Sequence, residues 1–322
     1  MACGSICLIG NLNMDLILRG LSTLPDWGQE VVGGGYVLAA SGQAGYCAFA
    51  LGALGERVAV IGTVGDDAYG RQILSALEAR GVDTRGVETV PGSPTGLTVA
   101  LVRKDGERAF VSDYGCLSSF TEVVARRHWQ LVEKADVVCF FGLCFLPAFA
   151  LEAAAELLGR AKSLGKETVL DTGWDPAGWP QAALRGLRRV LEQVTVFLPN
   201  LDEARAISGR PEAWEAARSL QELGPETVVV KLGAQGCLAV EGARRAELPA
   251  LSVPVYDAVG AGDVFNAGFL YGRRRGWALE ACLAFASAAS ALYISRPGDR
   301  FPAAAEVFAA ARPYGLVAQE SV

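Results

Sequence analysis

The stretch Asp257-Ala-Val-Gly-Ala-Gly-Asp-Val-Phe-Asn266 carries more information about fold and chemistry than any other part of this chain. Its central Gly-Ala-Gly lets the backbone approach a ligand closely, because the side chains are small. These residues open a predicted helix, whose first N–H groups lack intrahelical acceptors and whose dipole favours negative charge. The stretch therefore predicts a site for an anion such as a phosphoryl group.

Asp263 lies at the start of that helix, beside the predicted anion site. A carboxylate in this position can accept a proton from an attacking hydroxyl group, as phosphoryl transfer requires. However, aspartate is also a common helix cap, and glycines also form ordinary turns. From this stretch alone, a catalytic base and a structural cap are equally good interpretations of Asp263.

Short apolar runs alternate with helical segments along almost the whole chain, which is typical of strands covered on both faces. This alternation predicts an α/β fold with a doubly wound, mainly parallel sheet and helices on both faces. The predicted strands are Ile6–Gly10, Val58–Val64, Val137–Phe141, Thr168–Asp171, Val194–Leu198, Thr227–Lys231, Gly236–Val240 and Ser252–Tyr256. The predicted helices are Gly45–Leu54, Gly70–Arg80, Pro147–Leu164, Asp202–Ile207, Glu212–Leu223, Asp263–Arg273 and Leu279–Tyr293.

Two segments, 15–38 and 95–113, break the alternation, because each reads as strands without an intervening helix. Thr98–Val102 and Arg108–Ser112 form a predicted hairpin around a polar turn. Such strands do not join the central sheet easily, so we expect a small β-sheet beside it. The sequence has no linker and no internal repeat, and residues 1–322 are predicted to form one domain.

The charge balance argues against a nucleic-acid-binding protein. The chain has 29 Lys+Arg against 35 Asp+Glu, a net charge of −6, and no basic stripe. An acidic chain can still bind a nucleotide at a locally built anion site. The sequence shows no secretory signal, and its uncharged runs are shorter than the ~18 residues that a membrane span requires. We therefore expect a cytoplasmic protein without a membrane partner.

Cysteine and histidine usage excludes several classes of enzyme. The eight cysteines form no CxxC pair, so they are predicted to be reduced, mostly buried thiols. The single histidine, His128, lies in a polar stretch that predicts a solvated helix face. A Ser-His-Asp hydrolase or a histidine-rich zinc site is therefore not expected.

The stretch Asp257–Asn266 resembles the C-terminal signature of the ribokinase-like (PfkB-type) carbohydrate kinases, D-T-x-G-A-G-D-x-F, with Ala258 at the usual Thr. Five further segments are similar to motifs of that family and occur in the same order. They include a G-x-x-N-x-D segment, a glycine-rich signature and a P-N-x-x-E segment. The five segments are Gly10–Asp15, Ser41–Gly55, Gly62–Gly70, Pro199–Glu203 and Lys231–Gly236.

The resemblance implies an ATP-dependent kinase that uses Mg²⁺ and phosphorylates a hydroxyl group of a small sugar-like molecule. It also implies that the small sheet is a lid, through which the family commonly forms homodimers. On the phosphate side, the implied residues are the base Asp263, the amides of Gly260, Ala261 and Gly262, the nucleotide-binding Lys231, Gly233 and Gly236, and the magnesium-site residues Asn200 and Glu203, acting largely through water. On the substrate side they are Asp15, Asn13 and Gly42.

The resemblance leaves potassium activation open. The family's loop for a monovalent cation corresponds to Asp257, Val259 and Gly298, mostly through backbone oxygens. Backbone ligands leave little trace in a sequence.

Some positions depart from the family pattern. Tyr46 stands where the glycine-rich signature usually has an Asn that binds a sugar hydroxyl, which argues against strict ribose specificity. Residues Phe141–Phe145 offer no carboxylate where ribose kinases tend to present one. Trp174 is expected to stack on a ligand ring or to pack, and Arg108 of the lid to contact an anionic substrate or solvent. A sugar, a sugar acid and a nucleoside all remain open as substrates.

The sequence lacks the motifs that other nucleotide-binding proteins would need. A dinucleotide-dependent dehydrogenase needs G-x-G-x-x-G after the first strand, and the chain has no such segment. A Walker-type phosphate loop is also absent from the sequence. The remaining rival is a non-catalytic sugar- or nucleotide-binding relative of the kinases. The presence of Asp263 with Gly260 and Gly262 favours the enzyme.

Overall fold

The computed structural model describes residues 5–316. The strands are β1 (Ile6–Gly10), β2 (Asn13–Leu21), β3 (Gly35–Ser41), β4 (Val58–Gly65), β5 (Asp83–Val90), β6 (Leu97–Arg103), β7 (Arg108–Asp113), β8 (Val137–Phe141), β9 (Glu167–Asp171), β10 (Val196–Phe197), β11 (Thr227–Lys231), β12 (Cys237–Glu241) and β13 (Arg244–Leu248). The α-helices are α1 (Gln43–Ala53), α2 (Ala68–Glu78), α3 (Glu122–Arg127), α4 (Trp129–Lys134), α5 (Leu151–Ser163), α6 (Gln181–Leu191), α7 (Leu201–Ser208), α8 (Ala213–Gln221), α9 (Ala261–Arg273), α10 (Leu279–Ile294) and α11 (Ala304–Ala310).

The large sheet of residues 5–316 has nine strands in the order β13-β12-β11-β10-β9-β8-β1-β4-β5. The strands β11, β10, β9, β8, β1, β4 and β5 are parallel to one another. Strands β12 and β13 add an antiparallel edge. Alternate side chains of β1 enter two different apolar cores, Ile6 and Leu8 on one face and Cys7 and Ile9 on the other. Both faces are therefore covered, and the predicted doubly wound sheet is confirmed.

The predicted small sheet is confirmed as a separate four-stranded sheet in the order β3-β2-β6-β7. Its first two strands extend beyond the predicted 15–38, because β2 begins at Asn13 and β3 ends at Ser41. Across the strands, Asp15 is paired with Thr98, and Leu16 with Val99. Because side chains alternate along a strand, these two pairs lie on opposite faces of the small sheet.

The prediction of a strand at Ser252–Tyr256 is wrong, because this segment joins neither sheet. Pro254 has no N–H to donate to a ladder, and most of the segment is exposed. Strands β5 and β13 were not predicted. Both are edge strands with polar sequences, which lack the apolar runs of buried strands. Helices α4, α6 and α11 were not predicted either, and for α3 only a solvated helix face at the polar stretch of His128 was expected.

The structure shows the state of the cysteines and of His128 within residues 5–316. All cysteines in this range are free thiols, as predicted. His128 joins α3 to α4, where its Nε2 lies 3.0 Å from Oε1 of Glu88. In the same range, no helix combines the length and the apolar character that crossing a bilayer would need.

Candidate active site

The candidate site lies where four parallel strands end. Asn11 follows β1, Asp171 ends β9, Asn200 follows β10 and Lys231 ends β11. The carboxyl ends of these strands share one edge of the sheet, which is where α/β proteins usually bind ligands. Helix α9 begins above this edge, and its first turn brings Asp263 to the same place.

A tight turn precedes α9 and shapes its N-terminus. Gly260 has a φ of 81°, a left-handed conformation that L side chains rarely adopt. A Cβ at this position would lie 2.8 Å from the Tyr293 hydroxyl and 3.0 Å from the Tyr46 ring. The N–H of Ala261 donates to Ala258 O at 3.2 Å, so one of the three predicted amides is used within the turn. Position 260 therefore requires glycine, both for its φ and for the close approach of Tyr293 and Tyr46.

Among the described residues, the N–H groups of Gly260 and Gly262 have no hydrogen-bond acceptor. These amides belong to the start of a helix of 13 residues, where the macrodipole favours an anion. Position 262 also lies beside a cation, since a Cβ there would be 3.5 Å from Lys231 Nζ. This end of α9 can therefore bind a phosphoryl group.

Asp263 is buried next to these amides, with 8% of its surface exposed. Burial raises the pKa of the Asp263 carboxyl well above its usual range, and the negative charge of Asp171 raises it further. The charge of Lys231 acts in the opposite direction but does not cancel the effect. A carboxylate with a raised pKa is a better proton acceptor near neutral pH, which suits a general base.

Lys231 does not point into solvent, because its Nζ lies 2.6 Å from Oδ2 of Asp171. The same Asp171 oxygen accepts a hydrogen bond of 2.7 Å from Asn266 Nδ2, on α9. Burial lowers the pKa of Lys231, but the charges of Asp171 and Glu203 outweigh it and the pKa is raised. Lys231 is therefore positively charged and fixed beside the N-terminus of α9.

Asn200 and Glu203 form a capping box at the start of α7. The Asn200 side chain accepts from Glu203 N, and Glu203 Oε2 accepts from Asn200 N, both at 2.9 Å. Burial raises the pKa of Glu203 to about 7, and the charge of Asp171 adds to it. The charges of the two buried carboxyl groups thus oppose each other, and a bound divalent cation would relieve this repulsion.

A separate group of side chains surrounds Asp15, on the inner face of the small sheet. Asp15 accepts hydrogen bonds of 2.9 Å from the Tyr46 hydroxyl and from Asn13 Nδ2. Burial raises the pKa of Asp15 to about 6, although the hydrogen bonds from Ser41, Tyr46 and Asn13 oppose this rise. The Tyr46 ring packs edge-on against Tyr293. Tyr46 therefore supports Asp15 and also lines the turn before α9.

Three predicted glycines have different surroundings. Gly42 has a φ of 93°, and a Cβ there would lie 2.3 Å from Asn11 O, so the close approach of two backbone segments requires glycine. At Gly236 a Cβ would lie 2.0 Å from Leu248 O, which gives this glycine a structural reason of its own. Gly233 is exposed and faces open space.

Asp257 lies between two arginines. Its Oδ2 is 2.7 Å from Arg19 Nη2, on β2, and 3.0 Å from Arg300 Nη1. Its Oδ1 accepts a hydrogen bond from Val259 N at 2.9 Å. The carboxylate therefore braces the turn that leads to Gly260.

The model of the pfkB family carbohydrate kinases matches residues 4–306 of this chain. This range contains every residue of the site described above. The chain belongs to the PfkB family of carbohydrate kinases. As a member of this family, it is a phosphotransferase that acts on sugars, and the resemblance found in its motifs is confirmed.

Named relatives of this PfkB kinase agree with that assignment. It is 32% identical over 256 residues to an uncharacterized sugar kinase of Archaeoglobus fulgidus, covering 78% of this chain and 96% of the relative. It is also 32% identical over 276 residues to the 2-dehydro-3-deoxygluconokinase of Thermoproteus tenax, covering 81% and 80%. The structure of Arabidopsis thaliana ribokinase complexed with ribose and ATP has a TM-score of 0.82 at 24% identity, covering 96% and 99%. The ribokinase-like fold is thereby confirmed.

Sequence reasoning did not assign a role to three residues of the PfkB site. Asp171 ends a buried strand at the carboxyl edge of the sheet, and that position was the available signal. Asn266 lay inside the quoted signature without a role. No sequence feature indicated a role for Arg300, because nothing in its local sequence connects it with residue 257. Trp174 packs edge-on against Trp179 and is 46% exposed, so packing accounts for one edge of its ring.

Proposed function

We propose that this PfkB kinase transfers the γ-phosphoryl group of ATP to a hydroxyl group of a small sugar or sugar acid, with Asp263 as the base. One observation carries the proposal: a buried carboxyl group with a raised pKa stands beside two unpaired amides at a helix N-terminus. Phosphoryl transfer needs mainly positioning and charge stabilisation, which such a site supplies. We infer one domain over residues 1–322, acting in the cytoplasm, with the small sheet as its lid.

In the proposed reaction, the substrate oxygen bonds to the γ-phosphorus, and the bond to the bridging oxygen of ADP breaks. The proton of the hydroxyl group goes to the Asp263 carboxylate. The amides of Gly260 and Gly262 stabilise the negative charge on the equatorial phosphoryl oxygens, with Ala261 completing the turn between them. Lys231 adds a positive charge next to position 262. The reaction thus balances with ATP and the sugar as its only reactants.

The buried carboxyl of Glu203, close to Asp171, fits a site for a hydrated divalent cation. Asn200 and Glu203 would hold Mg²⁺ largely through water, while Gly233 and Gly236 would line the nucleotide. When bound, Mg²⁺ neutralises part of the phosphate charge. The protein's own contribution is to hold Glu203 by the 2.9 Å hydrogen bond from Asn200 N.

The sugar subsite is built around Asp15, with Asn13 and Gly42 beside it. An ionised carboxylate accepts hydrogen bonds from sugar hydroxyl groups strongly. Tyr46 already donates to one oxygen of Asp15 and Asn13 to the other, and the carboxylate keeps acceptor capacity for a ligand.

The direct test is ADP release with ATP, Mg²⁺ and a panel of acceptors: ribose, fructose, 2-dehydro-3-deoxygluconate and nucleosides. Turnover with a sugar or sugar acid supports the proposal, whereas turnover with nucleosides alone would reassign the substrate class to nucleosides. No turnover with any acceptor, despite measurable ATP binding by calorimetry, would contradict the proposed reaction. That result would favour a non-catalytic relative.

Tyr46→Phe should move the acid limb of the kcat/KM profile to higher pH. The Tyr46 hydroxyl favours the ionised form of Asp15, so its loss raises the pKa of Asp15 above about 6. Losing one hydrogen bond of about 1 kcal/mol corresponds to roughly 0.7 pH units. The measurement is kcat/KM for the sugar between pH 5 and 8. Tyr36→Phe, an exposed lid position, is the control. An unmoved acid limb would show that Tyr46 does not tune Asp15.

The outer face of the lid supports a homodimer. Opposite to Asp15, this face carries apolar side chains from all four strands, and Tyr36 and Val111 are 72% and 64% exposed. Apolar faces of this kind usually mark an interaction surface. The other members of this face are Leu16, Leu18, Leu38, Val99 and Leu101.

Val111→Glu should therefore convert the dimer into a monomer, because it places a charge within an apolar contact. Sedimentation velocity of the wild type and the variant measures the change. Val123→Glu, at an exposed valine on α3, is the matched control and should leave the mass unchanged. A wild-type protein that sediments as a monomer would contradict the proposed dimer.

A further inference from the structure

The guanidinium group of Arg300 lies in the loop that the family resemblance assigns to a monovalent cation. Its Nη1 donates to Asp257 O at 3.0 Å, and its Nη2 donates to Val259 O at 3.5 Å and to the Tyr293 hydroxyl at 2.6 Å. The group also lies over the Tyr293 ring, 4.1 Å from its centroid. Two carbonyl oxygens that would coordinate a metal ion, those of Asp257 and Val259, are thus used by an internal cation.

The negative charge at this loop is already more than compensated without a metal ion. Asp257 contributes one negative charge, and Arg19 and Arg300 both pair with its Oδ2. The three groups together carry one net positive charge, so a potassium ion would add a second one. A potassium ion at Asp257 O and Val259 O would meet the Arg300 guanidinium at the same oxygens, in a buried environment that screens repulsion poorly.

Arg300 also sets the orientation of the turn before α9. Val259 O accepts hydrogen bonds from both Arg300 and the Tyr293 hydroxyl, at 3.5 and 3.0 Å. The C=O and N–H of a trans peptide point in opposite directions. Holding Val259 O on the Arg300 side therefore directs the Gly260 N–H to the other side of that peptide. Gly260 is one of the residues whose unpaired amides form the anion site.

We propose that Arg300 is a built-in replacement for the monovalent cation, so that this kinase positions its phosphate-binding turn without potassium. The structure does not fit potassium at this loop. Arg300 is a positioning residue, since it acts through the backbone of Asp257–Gly260. The proposal rests on the proposed phosphotransfer for its kinetic test, and on ion binding alone for its second test.

The kinetic test compares turnover in potassium, sodium and tetramethylammonium chloride at equal ionic strength. We expect the same kcat and KM in all three salts. Activation by potassium of about fivefold or more, the lower end of typical coupling between two sites, would overturn the proposal.

Arg300→Ala should lower kcat by about 10²-fold, the usual cost of losing one oxyanion-stabilising group, with a smaller change in KM. Added guanidinium chloride at non-denaturing concentration, or potassium, should restore part of kcat, which a purely structural role of Arg300 does not predict. Arg296→Ala is the matched control, because Arg296 pairs with Glu306 at the surface. Full activity of Arg300→Ala in tetramethylammonium chloride would overturn the proposal.

The second test needs no turnover and no variant, so it also decides the case if phosphotransfer fails or if Arg300→Ala does not fold. Crystals of the wild-type protein grown in rubidium chloride are examined by anomalous scattering. We expect no rubidium at the carbonyl oxygens of Asp257 and Val259. A rubidium ion coordinated by these two oxygens would overturn the proposal whatever the kinase assay shows.

Discussion

Asp263→Asn should reduce kcat by ~10²–10⁴-fold while ATP affinity stays nearly unchanged. The amide cannot accept the hydroxyl proton, but it keeps the shape of the side chain and leaves the N–H groups at the start of α9 in place. Steady-state ADP release and calorimetric titration with ATP separate the two quantities.

The folded state should tolerate this change. Burial and the charge of Asp171 disfavour an ionised Asp263, so this environment should accommodate a neutral amide at least as well and the Tm should not fall. Asp202→Asn, at an exposed acidic residue of α7, is the matched control and should retain full activity. Near-normal turnover of Asp263→Asn would remove Asp263 from the role of base.

Lys231→Met should lower the free energy of unfolding by about 3–5 kcal/mol, because it leaves Asp171 as an uncompensated buried charge. The Asp171 side chain is 1% exposed and that of Lys231 13%, so solvent cannot replace the lost partner. Urea unfolding followed by circular dichroism measures the change. Lys104→Met, in the exposed turn between β6 and β7, is the control.

The double variant Lys231→Met/Asp171→Asn distinguishes the ion pair from simple packing. With both charges removed, the loss of stability should be smaller than in Lys231→Met alone, and the difference gives the coupling of the two residues. A double variant that is less stable than Lys231→Met would show that the buried charge is not the cause. ATP affinity of the double variant then reports the direct contribution of Lys231 to nucleotide binding.

The large sheet could be predicted from the sequence because its central strands are continuous apolar runs. Val137–Phe141 and Thr227–Lys231 were predicted with the observed bounds. Strands β5 and β13 could not be predicted in this way, since edge strands carry polar side chains. The run Ser252–Tyr256 shows the opposite error: β-branched and aromatic residues indicated a strand, but no partner strand lies beside it.

The site could be predicted wherever its residues lie within one short segment. Asn200 and Glu203 form a capping box within four residues, and Gly260 and Asp263 share one helix start. The contacts that join segments could not be predicted. Lys231 and Asp171 are 60 positions apart, and Asp257 and Arg300 are 43 positions apart. Such pairs depend on how the parallel strands are ordered, which local patterns do not specify.

The ion pair between Arg19 and Asp257 links the small sheet to the turn before α9 through one pair of side chains. Arg19 belongs to the small sheet, whereas Asp257 belongs to the turn that shapes the phosphate site. If the proposed lid opens to admit a sugar, this pair separates and Asp257 loses one of its two arginine partners. Opening of the sugar subsite and positioning of the turn before α9 would thereby be coupled through Asp257, so that the phosphate site is complete only when the small sheet is closed.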